Sequence, residues 1–391
     1  MLELADPVHA RLLDLLDGSH SEQGVLRAAR HAGIPAEDAS ALLRALTRAG
    51  YVVDAHALHI ARATEPTRRR LATECAAIAL RTGPEELNRT AHQVPTANLV
   101  MHRRLRAHVL VTGTSRLAVP IASILAASGI GHITIEQEGI TRPFDAAPAG
   151  LLPTDTHRPR GIAAVDALRR VAPDVEINRP PRGRATFAVL VGFSAPASLT
   201  AYAYGSRRLA HLAVWIRDGT VVVGPLVRPG YSTCLNCVDL HRSDRDPDWR
   251  AIAAQLQTAP EIGEPISATT TLTAAAFAAH EVLTHIDGGT PSTLNATVEI
   301  SEPGRSVRRQ WNPHPACGCR RRSRRQPRPG NEGSSRPTND APGGPTDGGQ
   351  DGPTTDDPGR STREDPGGLT SEGPGGPMSD PPGTPDGDTW A

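Results

Sequence analysis

The chain contains no lysine, so all 42 of its Lys-plus-Arg positions are arginine. That absence excludes a Schiff-base lysine and a lysine phosphate ligand, and guanidinium differs from ammonium in shape and hydration. Aromatic residues make up only 3% of the 391 residues, which leaves aliphatic side chains and alanine to build the core. A charge excess is missing as well: 42 basic residues face 42 acidic ones. A balanced chain carries no overall electrostatic signature of a nucleic-acid or membrane-surface binder. No stretch reaches the roughly 18 uninterrupted apolar residues of a spanning helix. The start, MLELADPVHARLLDLLDG, brings acids early and lacks the basic, apolar, small-residue order of a secretory signal. A soluble cytoplasmic protein is expected. From about Arg320 onward large apolar residues almost vanish and Arg, Gly, Pro, Asp, Ser and Thr take over. Such a segment buries too little surface to offset its ordering entropy, so residues 321–391 are expected to be a disordered tail.

What is present divides the rest into three parts. Residues 1–64 read as a small helical module. Val8, Leu12, Leu15 and Leu16 form one helical stripe that stops at Gly18. A second helix opens with Ser21 as N-cap and ends at Gly33, and a third has Pro35 near its start and Gly50 at its end. The stretch YVVDAHALHIA then reads as a two-stranded wing, giving a winged-helix-like module. Its third helix offers only Arg44 and Arg48 to a phosphate backbone, so peptide docking or packing suits it better than nucleic acid. Residues 65–105 read as a helical connector in which Cys75, alone on an Ala/Leu-rich face, is a small core residue.

Residues 106–320 carry the strand–helix–strand pattern of a parallel sheet. An apolar strand at Val109–Val111 runs through a Gly-bearing turn into an apolar helix over Leu117–Ala127. A second strand follows at His132–Glu136, with later strands expected at FAVLVGF and at HLAVWIRDGTVVVGPLV. The fold class is therefore α/β, with a Rossmann-like sheet. The first turn reads GTSRLA, so Gly113 is present but Ser115 and Ala118 stand where a dinucleotide fingerprint has glycines. Glu136 occupies the place of the acid that takes ribose hydroxyls. This is half a fingerprint, and it leaves both a nucleotide site and a sheet without a nucleotide open.

Cys234 and Cys237, in YSTCLNCVDLHR, and Cys317 and Cys319, in HPACGC, form two close pairs. Four thiolates in two pairs suit tetrahedral Zn²⁺, and four Cys with no open position mark a structural site. A disulfide is disfavoured in a reducing cytosol. His241 and His314 then read as neighbours of the pairs rather than as ligands.

The order strand, Gly turn, helix and acid-ended strand, then Cys-x-x-Cys, the helix TTTLTAAAFAAHEVLTHI, the strand STLNATVEI and a terminal HPACGC, resembles the ThiF-type superfamily. That superfamily is related to ubiquitin-activating enzymes. The stretch GPLVRPGYSTCLNCVDLHRSDRDPDW is more specifically similar to an actinobacterial branch tied to bacteriocin cyclodehydratases, which help to make azoline-bearing peptides. The resemblance implies ATP- and Mg²⁺-dependent adenylation of a C-terminal carboxylate, with Arg158 or Arg160 where a phosphate lysine is expected. Departures from the family pattern imply a degenerate ATP site. Gly192, Phe193 and Ser194 replace the metal-holding Asp, and FDAAPAGL replaces an Asn–Arg motif. The resemblance thus points to a component that binds a precursor or leader peptide, or a cyclodehydratase partner enzyme. The alternatives are an active adenylyltransferase and a zinc-stapled interaction module. A homodimer is also implied by the family, and the N-terminal module resembles the branch's leader-peptide-binding region.

Overall fold

In the computed structural model, residues 7–49, 51–52, 58, 60, 63–81, 97–178, 184–192, 196–255 and 263–320 are described. The expected tail, most of the wing, and Phe193 and Ser194 lie outside these residues. No helix among the described residues is long and apolar enough to cross a membrane.

Three short helices open the chain: α1 (Pro7–Asp14), α2 (Glu22–His31) and α3 (Ala36–Arg48). Leu12, Val25, Ala29, Ile34 and Ala39 form their common core. Ser21 caps α2 by accepting from the Gly24 N–H, as its place before the apolar stripe predicts. Helices α4 (Glu65–Arg81) and α5 (Ala97–Arg106) share a second core that includes Cys75, whose thiol is pushed up by burial. Arg104 of α5 is 1% exposed and reaches both Glu74 at 2.7 Å and Asp287 at 2.6 Å. A buried guanidinium needs such partners to offset its desolvation, and here they tie the connector to the α/β domain.

That domain is built on one eight-stranded sheet of order β3-β2-β1-β4-β5-β6-β7-β8. Its strands are β1 (His108–Thr112), β2 (His132–Glu136), β3 (Glu176–Ile177), β4 (Phe187–Val191), β5 (Ala210–Arg217), β6 (Thr220–Val227), β7 (Ala296–Glu302) and β8 (Arg305–Gln310). The first five run parallel and the last three are antiparallel. The segment HLAVWIRDGTVVVGPLV is thus two strands, not one. Asp218 (φ 50°) and Gly219 (φ 74°) make the two-residue turn between β5 and β6, and both positive φ values suit Asp-Gly.

Alternation along β5 and β6 divides the core between two faces. Leu212 and Val214 join the cluster built with α6 (Ala118–Ala127), α7 (Arg160–Val171) and α11 (Ala268–Asp287), whereas Ala213 and Trp215 pack on the opposite side. That side carries α8 (Ala197–Ser206), α9 (Leu235–Arg245) and α10 (Trp249–Gln255). Ala274, Ala275, Ala278 and Ala279 are fully buried in α11, and their small side chains let this helix lie close to the sheet. Ser267 caps its start by accepting from the Thr270 N–H at 3.1 Å, and Gly288 (φ 95°) ends it in the left-handed conformation.

Candidate functional site

The strand order reverses direction of growth between β1 and β4, and the carboxyl ends of strands at such a switch point form the usual binding crevice of an open α/β sheet. Gly113 ends β1 there with φ 111°. A Cβ at this position would sit 1.8 Å from the Val191 carbonyl oxygen of β4. Close strand approach alone therefore requires this glycine, with or without a ligand.

The turn that follows is held by a residue far away in sequence. Ser115 is 8% exposed and its hydroxyl donates to Oε2 of Glu264 at 2.6 Å; the Arg116 N–H donates to the same oxygen at 3.1 Å. Arg116 itself donates to the carbonyls of Ile266 (3.1 Å) and Ala146 (2.8 Å). Arg160, at the start of α7, donates to the Thr114 carbonyl at 2.7 Å and pairs with Asp145. Around this turn lies a cavity of about 580 Å³ bordered by Arg116, Arg142, Arg160, Glu138, Asp145 and Glu264 among others. The turn before α6 presents donors of the kind that accept an anion, and a carboxylate of the same chain already takes two of them.

Of the five residues expected from the sequence at a nucleotide site, Ser115 and Arg160 border this cavity. Gly113 lies beneath the turn, where its carbonyl accepts from Gln137 Nε2. Glu136 is exposed at the end of β2 and is not among the lining residues; its charge adds to burial in raising the Tyr204 phenol. Arg158 points elsewhere, pairing with Asp155 at 2.5 Å and Asp166 at 2.6 Å. Those two carboxylates hold its guanidinium above the usual range. Glu264 and Asp145 are the residues that sequence reasoning missed. Nothing local marks Glu264, whereas Asp145 sits within FDAAPAGL, which the resemblance singles out only as a departure from the family pattern.

The four cysteines converge on the other side of the sheet. Their sulfurs all lie within 4.8 Å of one another, with Cys234–Cys237 at 3.7 Å, Cys234–Cys317 at 3.6 Å and Cys237–Cys319 at 3.5 Å. Four sulfurs about 2.3 Å from a central zinc would sit roughly 3.8 Å apart, so the spacing fits a tetrahedral ion. It is far too long for S–S bonds of about 2.05 Å. Cys234 caps α9 and Cys237 lies in its first turn, where the helix N-terminus favours negative charge. Cys237 is pushed down to about 4 by the hydrogen bond from Cys234, with help from the His314 N–H, while the same pairing pushes Cys234 up. Cys319 is pushed up to about 12 by burial. A divalent metal would favour the thiolate form of the ligands. The distant half is braced by Thr233, whose hydroxyl donates to the Trp311 carbonyl at 2.9 Å. His241 and His314 stand beside the cluster, where His241 meets the Asn312 carbonyl and His314 meets Asp244, both at 2.8 Å.

Among solved structures, E. coli MccB with AMPCPP and MccA superposes with a TM-score of 0.56 at 16% identity, covering 82% of this chain and 92% of that one. The microcin C7 biosynthetic enzyme MccB in complex with N-formylated MccA gives 0.53 at 16% identity, over 82% and 92%. PaaA gives 0.56 at 14% identity, over 80% and 92%. This chain has the fold of MccB. At 14–16% identity the likeness is one of fold. No protein-family model matches the sequence, and no curated protein matches it.

Proposed function

We propose that the chain is a ThiF-like, peptide- or partner-binding component of modified-peptide (bacteriocin or azoline) biosynthesis whose nucleotide loop no longer serves ATP. The observation that carries this reading is the Glu264 carboxylate on Ser115 Oγ and the Arg116 N–H. A phosphate would need those donors, and a fixed carboxylate at the same spot repels it. The sequence adds that Gly192 stands where a metal-holding acid is expected. MccB is known in complex with MccA, which supports a precursor or leader peptide as the partner. Helices α1–α3 would form part of the winged-helix-like docking module of residues 1–64, joined by the connector of residues 65–105 to the sheet domain of residues 106–320. The four cysteines would hold one structural zinc that anchors the end of the sheet domain, and a reducing cytoplasm suits cysteines kept as metal ligands. A cyclodehydratase partner and a homodimer belong to the same reading.

A second reading, an active ATP-dependent adenylyltransferase, is favoured by one observation: Arg116, Arg142 and Arg160 all border the 580 Å³ cavity beside the loop. Calorimetry with Mg-ATP and carboxylate-dependent pyrophosphate exchange, run alongside titration with a candidate leader peptide, separates the two. The proposal expects saturable peptide binding and no exchange. Robust exchange that disappears in Glu136→Ala and Arg160→Ala would establish the adenylyltransferase instead.

A further inference from the structure

A second cavity, of about 320 Å³, lies on the opposite face of the sheet between α8, α9 and α10. Its wall is largely apolar, with Leu190, Leu199, Ala203, Leu235 and Val238 among the lining residues. Thr112 and Gly192, at the ends of β1 and β4, bring it to the same switch point, yet it shares no lining residue with the cavity at the Ser115 turn.

Arg242 is the one Arg or Lys among the described residues of this wall. Its guanidinium carbon lies 4.9 Å from the ring centre of Trp249, 5.4 Å from that of Trp215 and 5.9 Å from that of Trp311. Aromatic faces attract the cation but accept no N–H bond in its plane. Among the described residues, no carboxylate comes within ion-pair distance of Arg242 and no acceptor takes a hydrogen bond from it; it meets aromatic rings and longer-range charges. Asp239, one turn earlier on α9, also lines the cavity and uses Oδ1 to accept from the Trp249 indole N–H at 2.5 Å. Burial first, and the Arg217 charge second, bring Arg242 down to about 10; Arg309 adds to this, and Asp239 and Glu299 oppose it. A partly desolvated guanidinium with five unused donors beside an apolar cavity lacks a planar anion.

We propose that this cavity binds an apolar carboxylic acid, its carboxylate forked onto Arg242 and its apolar body lodged among Leu199, Ala203 and Val238. A carboxylate matches the guanidinium fork with two parallel bonds and brings a single charge. A phosphate would carry further oxygens into a wall that has few donors for them, at a desolvation cost. The volume corresponds to about ten waters at roughly 30 Å³ each, enough for an arylpropionate or a medium-chain acid. The acid could be a free metabolite or the terminus of an apolar peptide, and the experiment distinguishes these sources. The inference stands independently of whether the Ser115 turn takes a nucleotide.

Tryptophan emission of the full chain reads the site, because three of its four tryptophans surround Arg242. Titration with 3-phenylpropionate is expected to give a saturable change, and 3-phenylpropionamide to bind at least about tenfold more weakly, a factor equal to the loss of one charge-assisted contact. Arg242→Gln should lose the acid by a similar factor, Arg242→Lys should keep part of the binding, and Ala203→Phe should exclude acid and amide alike. Tighter binding of a short peptide ending in free phenylalanine than of 3-phenylpropionate assigns the peptide source, and the reverse order assigns the free acid. Equal binding of acid and amide, or unchanged acid affinity in Arg242→Gln, overturns the proposal. So does the absence of saturation by 3-phenylpropionate, octanoate and the peptide up to about 10 mM, which corresponds to a binding free energy too weak for a built site. Should Arg242→Gln fail to fold, the acid–amide comparison and Ala203→Phe still decide the matter.

Discussion

Replacing Glu264 separates its charge from its oxygen, because both hydrogen bonds land on the single atom Oε2. Glu264→Gln can offer a neutral oxygen at the same point, so the geometry survives and only the charge assistance is lost. Hydrogen bonds to charged groups contribute about 1.5–3 kcal/mol each and neutral ones about 1 kcal/mol. Glu264 is half-buried, so solvent screening reduces both figures. The Gln variant should therefore cost about 1 kcal/mol. Glu264→Ala leaves the buried Ser115 hydroxyl and the Arg116 N–H without their acceptor and should cost about 2–3 kcal/mol. Denaturant unfolding at neutral pH measures both. The Ala variant should also gain stability from inorganic phosphate, by about 1.4 kcal/mol at tenfold the dissociation constant, while the wild type gains none. An Ala variant within about 0.5 kcal/mol of wild type would be within the usual range of unremarkable surface changes, and that result would refute the anchoring role of Glu264. Equal stabilisation of both proteins by phosphate would refute its blocking role.

Further outcomes follow from the four-cysteine cluster and from two buried groups. Elemental analysis should find about one zinc per chain, and Cys234→Ser or Cys317→Ser should abolish its retention and lower stability, since metal binding is linked to folding; unchanged melting after chelation of a metal-free protein would remove the zinc. His211, 1% exposed, is pushed down to about 4 by burial, with the Leu209 carbonyl opposing. Its folded pKa lies below the unfolded value near 6.5, so the unfolded state takes up protons first. Stability from this group is complete above pH 6.5 and falls as pH drops towards 4, by up to about 3 kcal/mol. His211→Leu should flatten that acid limb in unfolding measured across pH 4–7, and an unaltered limb would count against the assignment. Glu281, 1% exposed, accepts from the N–H and hydroxyl groups of both Ser292 and Thr293 at 2.5–3.2 Å. Glu281→Ala should cost more than about 3 kcal/mol by orphaning those donors, and a smaller loss in denaturant midpoint would mean that the loop before β7 rearranges to satisfy them.

The sheet was largely legible because its signals are local. Apolar runs at Val109–Val111 and His132–Glu136, and the alanine-rich run of α11, carry their periodicity in neighbouring residues, and the structure has β1, β2 and α11 there. The β5–β6 hairpin was missed although Asp218-Gly219 marks it, because the flanking residues are apolar on both faces and read as one long buried strand. The convergence of the cysteines was legible for a different reason. Two close pairs of soft ligands limit the chemistry to very few arrangements even across eighty residues of chain. Arg242 among three tryptophans had no such grammar: Trp215, Trp249 and Trp311 come from a strand, a helix and a loop.

The Ser115 turn shows why half a fingerprint leaves both readings open. Gly113 looks like a phosphate-loop glycine, but the Val191 carbonyl alone already requires it. Arg160 looks like a phosphate ligand, yet its charge is met by Asp145. The quantity that matters is the charge of the whole rim, which no single motif reports. Among the described residues that line it, Arg116, Arg142 and Arg160 face Glu138, Asp145 and Glu264, three positive against three negative. Catalysis of phosphoryl and adenylyl transfer is mostly electrostatic compensation of a polyanion, and on the proposed reading the balanced charge of these described residues supplies little of it. On the proposed reading, restoring a metal acid at Gly192 would not recover ATP binding while Glu264 still occupies the donors of the turn. The carboxylate has to leave first, so Glu264 is the position at which scaffold and enzyme part company.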